Sequence, residues 1–257
     1  MTVFYFTATG NCLYVAKAIG GKLLSIPQLI KENQFYFEDD VIGFVFPIYV
    51  LTQPKIVKEF ISKIKLKSNY VFAIGTYGNM SGACMYNLSK ILKTKNIELN
   101  YADDIIMVDN YLPLFEMGDQ IDKIKDKKIE EKLESIVRNI RNKINNIPKP
   151  SIGERIITKI MNLLYPIMVS GKTAKKYIVN DKCNKCGICV KLCPAGNIEI
   201  KENIKFNNKC EVCYACLHNC PNNALHLKNQ ISNVRFRNKN ISINEIIEAN
   251  DQKLKEE

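Results

Sequence analysis

The feature that most constrains the fold of this chain is a cysteine pattern that occurs twice. The pattern C-x2-C-x2-C-x3-C-P begins at Cys183 and again at Cys210, so every cysteine of the first copy recurs 27 residues later. Pro194 and Pro221 close the two copies. An internal repeat of this kind, dense in thiols at metal-binding spacing, predicts a small domain organised around bound metal.

The spacing within each copy favours iron–sulfur clusters. Three thiols in C-x2-C-x2-C fold around one corner of a cubane, and in two-cluster proteins the fourth cysteine of each run ligates the other cluster. We therefore predict two [4Fe–4S] clusters. Their ligands are Cys183, Cys186, Cys189 and Cys220 for one, and Cys210, Cys213, Cys216 and Cys193 for the other.

Zinc and disulfides are the weaker alternatives for these cysteines. Structural zinc sites usually show separate C-x2-C pairs, and a set of disulfides needs an oxidising compartment. Residues 177–230 resemble the bacterial dicluster ferredoxins, which implies a small α+β domain there. Cys12 and Cys84 lack this spacing and are interpreted as small buried residues, while His218 and His226 are interpreted as structural or solvated.

The first part of the chain alternates apolar runs with amphipathic patterns, which predicts an α/β fold with a parallel sheet covered on both faces. A strand near 22–26 is poorly marked. The expected strands are 2–6, 41–46, 70–74 and 105–108, and the expected helices are 12–20, 54–65, 83–95, 119–145 and 154–170.

A hydroxyl-rich turn without charge follows the first strand. It reads Thr7-Ala8-Thr9-Gly10-Asn11-Cys12 and leads into a helix, whose first N–H groups and dipole suit a phosphate monoester. Thr7, Thr9, Gly10 and Asn11 resemble the phosphate loop of flavodoxins, although that family usually has a hydroxyl where this chain has Cys12. The resemblance implies a doubly wound sheet of order 2-1-3-4-5 that binds FMN.

Two further loops lie where the flavodoxin resemblance places flavin contacts, after the third and fourth strands. Tyr49 and Tyr77 could stack on the isoalloxazine ring, with ordinary core packing as the alternative for each. The candidate residues of these loops are Pro47, Ile48, Tyr49, Thr76, Tyr77, Gly78 and Gly82.

Together the two resemblances point to the flavodoxin–ferredoxin fusion proteins of anaerobic bacteria and archaea. We expect a flavodoxin-like domain over 1–145, a basic helical linker over 146–176, a ferredoxin domain over 177–230 and a C-terminal tail over 231–257. The tail shows a capping box, Ser242 with Glu245, before a short helix that should pack back onto a domain.

The net charge of +11 does not by itself indicate nucleic-acid binding. Two oxidised clusters and an FMN phosphate would bring about six negative charges, and residues 141–176, with eight Lys/Arg against Glu154, read as a connector. We expect a redox partner such as an acidic protein, or a small electron acceptor, but no nucleic acid and no membrane. The start MTVFYF lacks a basic signal region, which favours a cytoplasmic location. No pattern indicates an oligomeric state.

Electron transfer between FMN and the two clusters is the function that these features favour. The sequence contains no constellation of catalytic side chains, so an electron carrier is preferred over a substrate-specific enzyme. Two alternatives stay open: an FMN-dependent reductase of a small acceptor fed by its own clusters, and a ferredoxin whose flavodoxin-like domain is an empty docking module.

Overall fold

The computed structural model describes residues 1–251. Its strands are β1 (Thr2–Tyr5), β2 (Lys22–Ser25), β3 (Tyr36–Glu38), β4 (Val41–Pro47), β5 (Lys65–Lys67), β6 (Tyr70–Tyr77), β7 (Tyr101–Ile106), β8 (Tyr177–Val179), β9 (Ile198–Ile200), β10 (Ile204–Phe206) and β11 (Leu225–Leu227). Its helices are α1 (Asn11–Ile19), α2 (Ile26–Lys31), α3 (Lys55–Lys63), α4 (Cys84–Lys93), α5 (Met117–Asp122), α6 (Ile129–Arg141), α7 (Ile152–Met168), α8 (Ile188–Lys191), α9 (Ala215–His218) and α10 (Ile243–Asp251).

A five-stranded parallel sheet forms the centre of the N-terminal part. Its strands lie in the order β2-β1-β4-β6-β7, while β3 and β5 pair separately. When only the five strands of this sheet are numbered along the chain, the order is 2-1-3-4-5, as predicted for a flavodoxin-like sheet. The alternating residues of β1 and β4 face opposite sides: Phe4 and Phe44 enter one apolar core, and Val3 and Val45 enter the other. Both faces are therefore buried, as the continuous apolar runs predict.

The fifth strand begins earlier than the sequence suggests. β7 starts at Tyr101 and ends at Ile106, whereas the apolar pattern predicted 105–108. β7 is an edge strand with half-buried positions, so it can carry the polar pair Asp103 and Asp104 in its middle. This pair interrupts the apolar pattern by which the sequence would indicate the strand.

The long helix expected over 119–145 is wrong. The segment divides into α5, a 3-10 turn over Lys123–Lys127, and α6. Lys128, with φ of 46°, separates them in a left-handed conformation, and the Lys127 ammonium donates a hydrogen bond to the carbonyl oxygen of Met107. Met117, Ile121 and Ile124 pack in a different apolar cluster from the one that α6 enters, so the chain changes direction between the two segments. The Lys127 contact adds a bond at that break.

The cysteine-rich part is small and built from short elements. β9 pairs with β10 and β8 pairs with β11, both antiparallel, and a short helix contains the third cysteine of each copy. This α+β segment packs directly on the sheet domain: the Glu211 carboxylate accepts a hydrogen bond from the N–H of Ile56 at 3.0 Å, at the start of α3.

The C-terminal segment returns to the first loop of the chain. Ile241 and Ile246 are buried in the same apolar core as α1. The predicted capping box of α10 is confirmed, because Ser242 Oγ accepts from the Glu245 N–H at 3.2 Å and the Glu245 carboxylate accepts from the Ser242 N–H at 2.8 Å. The tail therefore packs onto the sheet domain, as expected. Across residues 1–251 no helix is both long and apolar enough to cross a membrane.

Candidate functional site

A cavity of about 380 Å³ lies at the carboxyl ends of β1, β4 and β6. This volume is within the range of small-molecule and cofactor pockets. The position is the one at which open parallel sheets bind ligands, beside the strand where the order reverses. The candidate residues that line the cavity are Thr7, Ala8, Thr9, Asn11, Cys12, Pro47, Ile48, Tyr49, Thr76, Tyr77 and Gly78.

Two candidate glycines lie outside this lining. Gly10 takes a positive φ of 97° at the start of α1, and a Cβ there would come within 3.0 Å of the Ile241 Cβ. Gly82, also at positive φ, faces the Thr158 hydroxyl of α7 instead. Both glycines shape the backbone of their loops from behind the cavity.

The first loop presents uncharged polar groups at the start of α1. The Thr7 hydroxyl accepts from the N–H of Leu13 at 3.4 Å, and the Thr9 hydroxyl accepts from the Asn110 amide at 2.9 Å. Cys12 Sγ lies 3.1 Å from the Thr76 hydroxyl, and burial raises the pKa of this thiol to about 12, so it stays neutral. The Thr7 and Thr9 hydroxyls each keep a proton to donate. Together with the backbone N–H groups at the start of α1, they fit a phosphate monoester.

The C-terminal tail holds this loop in place from outside. The backbone N–H of Asn238 donates to the carbonyl oxygen of Thr9 at 2.8 Å. The side-chain amide of Asn238 donates to Asn11 Oδ1 at 3.2 Å. The Asn11 amide in turn lies 3.4 Å from the carbonyl oxygen of Val108. Asn238 is almost fully buried. Sequence reasoning missed it because a single asparagine in a polar segment carries no motif.

Two further walls of the cavity were also missed. One is the loop after β7, with Asp109, Tyr111 and Phe115, which the predicted topology places at the same sheet edge. The other is α7, which contributes Ile157 and Met161. The apolar pattern of α7 predicts the helix but does not show which side faces the cavity.

Asp109 is a half-buried carboxylate in the lining of this cavity. Its Oδ1 accepts a hydrogen bond from the N–H of Tyr111 at 3.0 Å, and its side chain fills the space beside the Cα of Gly78. Burial raises the pKa of Asp109 above its ordinary value, against the opposing effects of the Tyr111 hydrogen bond and the Lys127 charge.

The eight repeated cysteines separate into two sets, each around its own small cavity. The first cysteine set consists of Cys183, Cys186, Cys189 and Cys220, and the second cysteine set consists of Cys193, Cys210, Cys213 and Cys216. Each set thus takes three cysteines from one copy and the fourth from the other, which is the crossed arrangement that the spacing predicts. Four thiols around one space form a donor set that fits a [4Fe–4S] cluster.

Backbone donors point at several of these sulfurs. The N–H groups of Asn197, Val212 and Ala224 lie 3.2, 3.3 and 3.3 Å from the sulfurs of Cys193, Cys210 and Cys220 respectively. Such N–H···S bonds favour the thiolate forms that ligate iron and tune a cluster's potential. In the described part of the chain, no three His, Cys, Asp or Glu side chains converge on a point that could hold a single metal ion.

Tyr214 connects the second cysteine set to the large cavity. It is buried and lines both spaces, and Val212 also lines the large one. The Tyr214 ring lies 5.7 Å, between centroids, from the ring of Tyr111 in the loop after β7. One side chain therefore separates the two candidate cofactor sites.

His218 has a structural position, as the sequence suggests. Its Nδ1 accepts from the N–H of Phe236 at 3.1 Å, so Nε2 carries the proton and donates to the Asn110 carbonyl oxygen at 2.8 Å. Burial lowers the pKa of His218 to about 4, which keeps the ring neutral. The histidine ties the cysteine-rich segment to the loop that lines the large cavity.

Comparison with known proteins identifies the cysteine-rich segment. Residues 182–234 match the family model described as the 4Fe-4S dicluster domain. No curated protein matches the chain.

Solved structures with a similar N-terminal part have low sequence identity. The two-electron reduced flavodoxin of Megasphaera elsdenii is 18% identical, over 40% of this chain and 83% of that one, with a TM-score of 0.32. A putative flavoprotein of Bacteroides uniformis is 18% identical, over 41% of this chain and 89% of that one, with a TM-score of 0.34. The Trp repressor binding protein of Bacillus subtilis is 14% identical over 53% and 94%, with a TM-score of 0.38.

The strand order, rather than these weak likenesses, carries the fold assignment of the N-terminal part. The chain joins a flavodoxin-like α/β sheet to a 4Fe–4S dicluster segment. This combination fits a flavodoxin–ferredoxin fusion.

Proposed function

We propose that this chain is an electron carrier that relays electrons between FMN in the large cavity and two [4Fe–4S] clusters in the two cysteine sets. Bound together, these groups would supply one- and two-electron chemistry, while the protein fixes their distance and environment. The chain's own partners for the relay are a redox protein or a small acceptor.

The single observation that carries the proposal is the position of Tyr214. Because it lines both the large cavity and the cavity of the second cysteine set, no more than one side chain separates the two spaces. The first cysteine set is more exposed, and it includes the exposed Cys186. We infer that electrons enter from an external redox partner at the first set and pass through the second set to FMN in the large cavity, or follow the reverse order.

The residues of the large cavity would each have a binding role. The loop over 7–12 would hold the phosphate with hydroxyl, amide and backbone donors. Tyr49, in the loop after β4, and Tyr77, the last residue of β6, line the cavity, where they could pack on the ring faces of the flavin. Burial raises the pKa of Tyr49 well above its ordinary value, so this phenol would pack as a neutral group.

The test begins with anaerobically reconstituted full-length chain. Two cubanes and one flavin predict about eight iron, about eight sulfide and about one FMN per chain. After rapid mixing with limiting dithionite, the phase in which electrons pass from already reduced clusters to the flavin should have a rate that does not depend on protein concentration, because this transfer occurs within one molecule. A rate of this phase proportional to protein concentration would contradict the relay.

The same stoichiometry tests the docking-module alternative. Full iron and sulfide with no flavin, even at excess FMN, would favour a ferredoxin with an empty flavodoxin-like domain. Replacing Tyr214 with Leu should leave all three stoichiometries unchanged and slow flavin reduction, and Tyr36→Leu, at an exposed tyrosine on β3, is the matched control.

A second candidate function is reduction of a small acceptor at the flavin. It is favoured by the apolar wall that α7 and the loop after β7 add to the cavity, beyond the three loops expected to hold FMN. Ile157, Met161 and Phe115 belong to this wall. Steady turnover of a soluble quinone that stops when flavin is removed would support this function, and absence of turnover would exclude it.

A further inference from the structure

The outer side of α7 carries an unusual row of exposed aliphatic side chains. Ile152, Leu163 and Ile167 are 76%, 73% and 78% exposed, and the side chains between them follow the same pattern. Residues spaced by three or four along a helix share one face. The α7 stripe, as we call it, consists of Ile152, Ile156, Ile160, Leu163 and Ile167.

The other side of α7 is fixed to the domain, so the stripe cannot turn inward without breaking buried contacts. Thr158 is fully buried, and its hydroxyl accepts the N–H of Ala83 at 3.0 Å. Tyr165 is also buried, with the Lys58 ammonium 4.0 Å from its ring centroid. The stripe is about 22 Å long at the rise of an α-helix, and it exceeds the scattered apolar exposure of an ordinary surface.

The charges around the stripe are positive. Lys149 and Lys172 lie beyond its two ends and Lys159 lies beside it, and all three are exposed. The one acidic residue of 141–176, Glu154, is held in the capping box of α7, where its carboxylate accepts from the N–H of Ser151 at 2.8 Å. The complementary partner is therefore an apolar surface with an anionic rim.

We propose that the α7 stripe binds an anionic lipid surface, with the helix lying in the plane of the interface. Amphipathic helices that bind in this way place an aliphatic face among acyl chains and lysines at the level of acidic headgroups. The stripe contains none of the Trp, Tyr or Arg that dominate protein–protein hot spots. A second copy is disfavoured, because pairing the two stripes would bring the exposed Lys159 side chains of both copies together.

This inference changes the expectation of no membrane partner. An interfacial helix needs no membrane-spanning segment, so the finding that no helix of residues 1–251 could span a membrane does not oppose it. The inference concerns where the chain works and does not depend on which cofactors it carries.

Vesicle flotation of the full chain, reconstituted with iron and sulfide, tests the proposal. The chain should float with vesicles of phosphatidylcholine mixed with phosphatidylglycerol, less with phosphatidylcholine alone, and less at high salt. The variant Ile160→Gln/Leu163→Gln/Ile167→Gln should lower the partition coefficient about tenfold or more, since each removed methylene weakens acyl-chain binding several-fold. Tyr36→Gln, at a side chain 66% exposed on β3, is the matched control and should bind as the unchanged chain does.

Several outcomes would overturn the proposal. Failure of the unchanged chain to float with either vesicle would do so, as would an equal loss of binding in Tyr36→Gln. A concentration-dependent dimer in sedimentation, abolished by the triple variant and unaffected by vesicles, would assign the stripe to self-association instead.

The folding of the triple variant needs its own control. Unchanged cluster absorption and an unchanged melting temperature would exclude misfolding as the cause of lost binding.

Discussion

Replacing Asn238 with Ala tests whether the C-terminal tail builds the phosphate loop. The side chain donates to Asn11 Oδ1 at 3.2 Å and accepts the N–H of Asn240 at 3.0 Å, in a nearly buried position. Each such bond contributes about 1 kcal/mol net. The first bond supports the loop over 7–12, where we propose that the phosphate binds, and the second orders the tail beside it. Loss of one or both predicts a rise of about 5- to 30-fold in the Kd for FMN.

The assay is anaerobic titration of flavin-free chain with FMN, followed by quenching of flavin fluorescence. Asn69→Ala is the matched control, because Asn69 donates a comparable bond of 2.7 Å to Asp40 at the exposed, opposite end of the sheet. Iron and sulfide content should stay unchanged in both variants. A Kd for Asn238→Ala within twofold of the control would refute the reasoning and leave the tail a purely structural role.

Three other variants test separate parts of the molecule. Cys220→Ala should remove the cluster of the first cysteine set, seen as a loss of about half the iron, and selective loss of the other cluster would show that the crossed assignment is wrong. Thr158→Val leaves the buried N–H of Ala83 without its acceptor, which should lower the free energy of unfolding by about 2 kcal/mol. The Tm should fall by about 4–8 °C in calorimetry, and an unchanged Tm would contradict this. Because burial raises the pKa of Asp109, the folded chain binds that proton more tightly than the unfolded chain and loses stability as pH rises above about 4. Asp109→Asn should therefore gain unfolding free energy over the unchanged chain between pH 4 and pH 8 in urea titrations, and a pH-independent difference would count against this account.

The sequence predicts well where local pattern and tertiary demand agree. The strands around Phe4 and Phe44 are continuous apolar runs because both faces of the sheet are covered, so their positions and order follow from the pattern. The cysteine spacing likewise predicts the two sets, because the turns that carry the cysteines are local and the crossing is the known ligand pattern of two-cluster proteins with this spacing.

The misses have a common physical cause: each depends on a long-range contact. The expected helix over 119–145 divides because its two halves pack in different apolar clusters, with the Lys127 bond to the Met107 carbonyl at the break, and the local pattern does not show these contacts. Asn238 acts through Thr9 and Asn11, at the other end of the chain. Periodicity identifies the apolar side of α7, but only the packed structure shows that much of that side has no cover within the described residues 1–251.

The hydrogen bonds between the C-terminal tail and the loop over 7–12 also determine when the large cavity can form during synthesis. The bond between Asn238 and Asn11 joins residues 227 positions apart. The ribosome therefore releases the whole sheet and both cysteine copies before the loop over 7–12 can acquire its final support. Contacts this distant form late and slowly, so stable FMN loading should be a post-translational event that follows, rather than guides, folding of the sheet.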